Sequence, residues 1–378
     1  MPEAADLIIM NSCTVTAEAE SKTRKALRGM LARYPAARLL VYGCAVAVDD
    51  GYYTGLGDRV LAAASQAQAL ELLGGWLGGP EAGSIATQPA PPRPSVALAR
   101  QRPSLKVQDG CDSRCSYCIV CRARGPARSE PLPALQQAAR DREAAGAAEI
   151  VLTGVNLGSY SWQGLGLIQM IEGLLAATDR CRFRLSSLEP LDATEQLTGL
   201  IASHPDRLCR HLHLPLQSGS DRVLAAMGRP YDRAGYIGIV DSARRRLPGL
   251  ALSTDVIVGF PGETDDDFSQ SVELCRQAAF MRIHVFRYSP RRGTPAAELP
   301  GQVPAAVKAQ RAATLRSLSL EMARADFEAR TGSCELALVE RPGVGRSESY
   351  HLVAVPENAA PGSLVEFRFD GQASQLLE

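Results

Sequence analysis

Between residues 104 and 286, short apolar runs alternate with helical patterns, and this alternation constrains the fold more than any other feature. The runs lie at Ser104 to Gln108, Glu149 to Leu152, Phe183 to Ser186, His211 to Leu214, Leu252 to Val258 and Ile283 to Phe286. Helical spacing fills the intervals, for example Leu132 to Ala145 and Asp265 to Ala278. Repeated strand–helix units predict a parallel sheet or barrel with its site at the C-terminal ends of the strands.

The flanks read differently. Leu7 to Met10 and Leu39 to Tyr42 are strand-like and bracket a basic helix from about Glu18 to Arg33, so residues 1–78 form a small α/β unit. Residues 79–97 are rich in Gly, Pro and Ala without periodicity, which marks a linker. Residues 98–332 hold the strand–helix series and end in a long helix with Pro304 near its start. Residues 333–378 switch to short β-like runs (Glu335 to Val339, His351 to Val355, Leu364 to Phe369), a small all-β module.

The 41 basic and 41 acidic residues cancel, so no global field draws in nucleic acid, and any RNA site is a local patch. Ten cysteines, without a secretory signal or a long apolar run, predict a reducing, cytoplasmic setting with metal binding favoured over disulfides.

Three cysteines crowd one loop after the first strand, in Cys111-Asp-Ser-Arg-Cys115-Ser-Tyr-Cys118. Zinc sites usually take four ligands, commonly in separated pairs, and iron–sulfur cubanes are normally held by four cysteines. The triplet therefore points to a 4Fe-4S cubane with one iron open, or to a zinc site completed from a distance. Further motifs follow the later strands: Thr153-Gly-Val-Asn156, Ser186-Ser-Leu-Glu189, Pro215-Leu-Gln-Ser218, Gly259-Phe-Pro-Gly-Glu263 and Tyr288-Ser-Pro. Such polar and glycine-rich ends suit a ligand with amine, carboxylate, ribose and adenine groups. His211 and His213 share one strand face, as a metal pair or, the preferred reading, as a hydrogen-bonded pair lining the barrel. Cys181, Cys209, Cys275 and Cys334 have no ligand spacing and read as small core residues. Arg122, Arg124 and Arg128 form either a phosphate or carboxylate clamp or a solvated face.

Taken in order, these stretches resemble the radical S-adenosylmethionine (SAM) methylthiotransferases. The likeness also rests on Asn11-Ser-Cys-Thr-Val-Thr16, Tyr42-Gly-Cys44, His211-Leu-His-Leu-Pro-Leu-Gln-Ser-Gly-Ser-Asp221, Asp255-Val-Ile-Val-Gly-Phe-Pro-Gly-Glu-Thr264 and Tyr288-Ser-Pro-Arg-Arg-Gly-Thr-Pro-Ala296. It implies an α/β methylthiotransferase domain, a central radical SAM partial (βα)6 barrel and a C-terminal all-β TRAM-like domain that binds RNA. Cys111, Cys115 and Cys118 would hold the radical SAM 4Fe-4S cluster, its open iron taking the amine and carboxylate of SAM. Cys13 and Cys44 would hold a second 4Fe-4S cluster. Tyr117, Thr153, Asn156, Ser187, Glu189, Gln217, Ser218 and Gly259 would contact SAM, and Lys22, Arg24, Lys25 and Arg28 would contact RNA. The stretches Leu152 to Ser159, Leu185 to Pro190 and Arg207 to Gln217 are most similar to the branch acting on N6-threonylcarbamoyladenosine at position 37 of tRNA. The implied partners are tRNA and an electron donor of flavodoxin or ferredoxin type, with no membrane, and the protein is expected to be a monomer.

Two departures qualify the likeness. The first ligand of the second cluster, which family members carry upstream in a Gly-Cys motif, has no counterpart; either the start is assigned too late or the chain is truncated. Cys121 stands where the family usually has proline and reads as neutral. The alternatives are an incomplete iron–sulfur RNA-binding homologue without a working second cluster, and a methylthiotransferase for another substrate such as a ribosomal protein.

Overall fold

The computed structural model describes residues 5–14, 17–76 and 101–371. The linker expected at 79–97 lies outside them. The chain divides into two compact units, the first built from the N-terminal residues with Gly110–Pro126 and Ser289–Glu298, the second from the rest.

In the first unit, β1 (Leu7–Ser12), β2 (Arg38–Gly43) and β3 (Val60–Ala63) run parallel in that order. The sequence reading had not separated β3 from its surroundings. Leu39, Leu40 and Val41 are all buried, as a central parallel strand covered on both faces requires. Leu39 and Val41 pack with Leu27 of the helix Ala17–Arg33 and with Val46 and Tyr53 of the short helices after β2, while Leu40 packs on the other face with Ala63 and Ala69. β1 lies at the edge of the sheet, and its Ile9 is 53% exposed. Gly43 has φ +113°, and a Cβ there would meet Asn11 Oδ1 at 2.6 Å and the Ser12 carbonyl at 2.7 Å. Only glycine allows β2 to pass this close to the end of β1 immediately before Cys44.

The second unit opens with β4 (Ser104–Lys106) and β5 (Gln108–Asp109). It continues with β6 (Arg128–Ser129), β7 (Glu149–Thr153), β8 (Arg182–Leu185), β9 (His211–His213), β10 (Ala251–Val258) and β11 (Arg282–Arg287). Helices at Leu132–Ala144, Leu167–Ala177, Glu195–Ser203, Arg233–Arg246, Asp265–Ala278 and Ala305–Ala329 surround them. Their apolar faces, with Leu135, Met170, Leu197, Val240, Leu274 and Leu315, join the strands in one core. The parallel ladders form two three-stranded sheets, β4-β7-β8 and β9-β10-β11. Only isolated bridges, Phe183–Leu208 and Ser187–His213, join β8 to the β9 side. The expected barrel is thus seen as two parallel sheets, without a ladder between β4 and β11 among the described residues. Between β8 and β9 the contact is limited to those bridges because β9 has only three residues.

The C-terminal sheet is antiparallel, with β12 (Cys334–Arg341), β13 (Val344–Ser347), β14 (Leu352–Ala354) and β15 (Leu364–Arg368) in the order β14-β13-β12-β15. It belongs to the second unit and packs on the N-terminal ends of the parallel strands. Arg184 donates to the carbonyls of Glu348 (2.8 Å) and Ser347 (3.1 Å), and Arg182 to that of Leu336 (2.9 Å). Arg210 pairs with Glu348 at 2.8 Å. Cys181, Cys209 and Cys275 are buried as core residues, but Cys334 is exposed, because it opens the edge-paired end of β12.

Candidate active site

The cysteine loop belongs to the first unit and lies in sequence between β5 and β6. Gly110 has φ +74°, and a Cβ there would come within 2.0 Å of the Pro126 carbonyl, so glycine is needed where the two ends of the loop cross. The Cys111 amide donates to the Gly125 carbonyl at 3.1 Å, which closes the loop. Inside it, the Cys118 amide donates to Cys115 and the Ala296 amide to Ser116, at 3.2 and 2.9 Å. Backbone amides also point at sulfur: Ser113 toward Cys111 at 3.4 Å and Val120 toward Cys118 at 3.5 Å. Burial pushes the Cys118 thiol up to about 11, and the nearby sulfurs of Cys115, Cys111 and Cys121 push the same way. Amides aimed at sulfur and several thiols crowded in one loop suit a cationic iron–sulfur centre, which holds its coordinating thiols deprotonated. No group of three or more His, Cys, Asp or Glu side chains among the described residues is arranged to hold a single metal ion.

Cys13 and Cys44 lie in the same unit, Cys13 exposed and Cys44 partly so. Arg124 Nε donates to Cys44 Sγ at 3.3 Å, so one arginine of the expected clamp faces sulfur. Arg291 binds Thr14 and Glu20, which fixes the chain beside Cys13. The basic helix is less available than its composition promised. Arg24 is held by Glu20 (2.5 Å) and Asp49 (3.0 Å) and lies over the Tyr52 ring, so it serves the fold of this unit. Lys22 pairs with Glu18 in solvent, while Lys25 and Arg28 are exposed.

The second unit contains a polar cavity of about 800 Å³. Alternate residues of the parallel strands line it: Val151 and Thr153, Arg184 and Ser186, His211 and His213, Ser253 and Asp255, then His284. With Ser104 of β4, side chains from six parallel strands thus face one space, at period two except around the end of β8, where Leu185 and Ser187 also line it. His211 Nε2 and His213 Nδ1 each lie 3.0 Å from Ser253 Oγ, and His213 Nε2 is 3.3 Å from Asp255. This is the hydrogen-bonded histidine pair. Burial, aided by Arg184 and His213, holds His211 well below its ordinary value, and burial also lowers His284. Arg102, Glu340 and Tyr350 line the end toward the C-terminal sheet. Sequence reasoning missed Arg102, Arg184, Ser253, His284, Glu340 and Tyr350; the i, i+2 spacing along the strands was the available signal for those on β8, β10 and β11.

Of the residues expected to contact SAM, Thr153 and Ser187 line this cavity. Tyr117 lies in the cysteine loop of the other unit. Asn156 caps a turn, accepting from the Gly158 amide at 3.0 Å, and Gln108 Oε1 holds the amides of Val155 and Asn156 at 2.9 and 3.0 Å. Glu189 pairs with Arg229. Gln217 sits at φ +65°, with its backbone bonded to Asp255 and Ile257. Ser218 is buried against Ser271, and Gly259 (φ +73°) passes under the Lys308 stem. The loop residues at the strand ends are therefore largely occupied in shaping the turns.

Comparison with known proteins defines the class. The Radical SAM superfamily model matches residues 105–275, and the Uncharacterized protein family UPF0004 model matches residues 1–55. This chain belongs to the radical SAM methylthiotransferases. It is 36% identical to the threonylcarbamoyladenosine tRNA methylthiotransferase MtaB of Thermotoga maritima, over 82% of this chain and 72% of that one. The MtaB of Chlamydia pneumoniae is 33% identical, over 97% and 86%. A tRNA-2-methylthio-N(6)-dimethylallyladenosine synthase of Moorella thermoacetica is 32% identical, over 100% and 90%. Among solved structures, the radical SAM methyltransferase TsrM of Kitasatospora setae superposes with a TM-score of 0.56 at 14% identity, covering 78% of this chain and 66% of that one. That likeness is one of fold.

Proposed function

We propose that this chain methylthiolates tRNA, and that its substrate is N6-threonylcarbamoyladenosine at position 37, converted to the 2-methylthio derivative. The observation that carries the reading is the glycine-closed loop with Cys111, Cys115 and Cys118, in a chain aligned nearly end to end with relatives named for that reaction. The three cysteines would hold the radical SAM cluster, with the amides of Ser113 and Val120 donating to the Cys111 and Cys118 sulfurs. When bound, a 4Fe-4S cluster with an open iron supplies the electron that cleaves SAM and so permits attack on an unactivated C–H bond. Cys13 and Cys44 would serve the second cluster, with Arg124 donating to the Cys44 sulfur. Thr153 and Ser187 present hydroxyls, and His211 its Nδ1, to a bound nucleoside. A cavity of about 800 Å³ accommodates a modified nucleoside. Lys25 and Arg28, with the C-terminal sheet, would contact RNA phosphates, which positions tRNA without reading its sequence.

The test is mass spectrometry of tRNA nucleosides from a strain lacking its own methylthiotransferase of this branch. Complementation with this reading frame should restore the 2-methylthio nucleoside, and Cys118→Ser should abolish it. An unchanged nucleoside profile on complementation would overturn the proposal.

A further inference from the structure

At the floor of the cavity, charge is unevenly matched. Glu149 is paired with both Arg182 and Arg184, and Glu340 with both Arg102 and Arg346. Each carboxylate thus faces two guanidinium groups, leaving an excess of positive charge. Three of these cations surround the Tyr350 ring, their Cζ atoms 5.4 Å (Arg102), 5.0 Å (Arg184) and 4.6 Å (Arg346) from its centroid. Burial works to raise the Tyr350 phenol, yet a hydrogen bond from Arg102 and the charges of Arg102, Arg346 and Arg184 bring it below its ordinary value. Tyr350 is held in the left-handed region (φ +75°) and stacks on His211 at 4.9 Å, so the C-terminal sheet fixes it in place.

The arginines differ in what they have left to give. Arg184 is 2% exposed and fully engaged by Glu149 and the carbonyls of Ser347 and Glu348. Arg102 makes one ion pair, to a carboxylate it shares with Arg346, and its side chain remains 21% exposed at the cavity wall. A guanidinium has five N–H donors, so Arg102 can still bind an anion. Lining the same cavity, His211 and Ser186 have a buried Nδ1 and Oγ with no partner in the protein. Buried polar atoms of this kind are expected to meet a ligand or an ordered water.

We propose that this floor is a carboxylate subsite, in which Arg102 binds the threonyl carboxylate of the substrate's N6 group while Ser186 and His211 pair with its carbamoyl linkage. The assignment rests on the threonylcarbamoyladenosine reading and deepens it. It makes the C-terminal sheet, through Glu340 and Tyr350, part of substrate selection as well as RNA binding. A neutral N6 substituent would leave Arg102 to Glu340 alone and forgo the added charge-assisted pair, which is how a site built for a polar group discriminates against an analogue lacking it.

The experiment measures binding of the anaerobically reconstituted chain to three anticodon stem-loops. One carries threonylcarbamoyladenosine, one its methyl ester, and one unmodified adenosine. The wild-type chain should prefer the free acid over the ester by roughly ten- to hundredfold, the range of a charge-assisted hydrogen bond. Arg102→Gln should bring that ratio close to one, and Arg102→Lys should keep part of it. Glu340→Gln, which removes the competing carboxylate, should increase the preference, and it tests the subsite even if Arg102→Gln folds poorly. Equal binding of acid and ester by the wild type, or a ratio indifferent to both substitutions, would overturn the subsite. Uniform weakening of all three stem-loops by Arg102→Gln would assign the arginine to RNA phosphate and overturn it too. If the wild type treats modified and unmodified stem-loops alike, the substrate reading falls and takes the subsite with it; a wild type that methylthiolates the nucleoside without acid preference refutes the subsite alone.

Discussion

His211 Nε2 and His213 Nδ1 converge on one hydroxyl, that of Ser253, each at 3.0 Å. A hydroxyl has a single proton, so it donates to one imidazole and accepts from the other. Burial holds His211 well below its ordinary value, and Asp255 lies beside the far nitrogen of His213. The pair is a positioned hydrogen-bond relay on the cavity wall.

Ser253→Ala should therefore cost more than a surface serine. It strands two imidazole nitrogens, one of them on a buried ring, at about 1–3 kcal/mol. Denaturant unfolding measures this, and a loss below about 0.5 kcal/mol would show that water replaces the hydroxyl without penalty.

Glu149 is fully buried between Arg182 and Arg184, which in turn hold the C-terminal sheet by its carbonyls. Glu149→Gln removes the only charge between the two guanidinium groups at this point, and breaking such a buried cluster costs about 3–5 kcal/mol. The C-terminal sheet should become the first region cut in limited proteolysis. Wild-type cleavage kinetics in the variant would refute this coupling.

Stability should fall with acid in two stages. His211 and His284 are held below their ordinary value chiefly by burial, whereas in the unfolded chain they protonate near pH 6.5. The unfolded state thus binds more protons, and stability drops as pH falls below about 6.5. Glu149 and Asp267 are depressed despite burial, by Arg184 and Arg182 in one case and Arg222 in the other. Their contribution is complete above the unfolded carboxylate value of about 4 and is lost as pH falls from there toward their folded values. Unfolding free energies from about pH 8 to about pH 3 would follow this, and a flat profile between about pH 7 and about pH 5 would contradict the first stage.

Much of the architecture was legible because it rests on local pattern. The apolar runs at 149–152, 183–186 and 252–258 became β7, β8 and β10, and the helix Asp265–Ala278 has the limits its spacing predicts, with Thr264 and Asp267 forming its capping box. The strands β3 (Val-Leu-Ala-Ala) and β13 (Val-Gly-Arg-Ser) were missed because Ala and Gly carry little strand signal and neither segment alternates apolar with polar. Arg24 read as an RNA contact, since sequence shows a charge but not the Glu20 and Asp49 that neutralise it.

The sequence by itself determined the class of chemistry, through the spacing of Cys111, Cys115 and Cys118 and the order of the motifs after each strand. Covalent spacing along one loop suffices to bring three thiols near one another. Only the tertiary structure decided what surrounds the cavity. Arg102, Arg184, Ser253, Glu340 and Tyr350 are far apart in sequence and share no motif; they meet because parallel strands turn alternate side chains inward and the C-terminal sheet packs across their starting ends. Such convergence depends on strand register and packing, which no local pattern records.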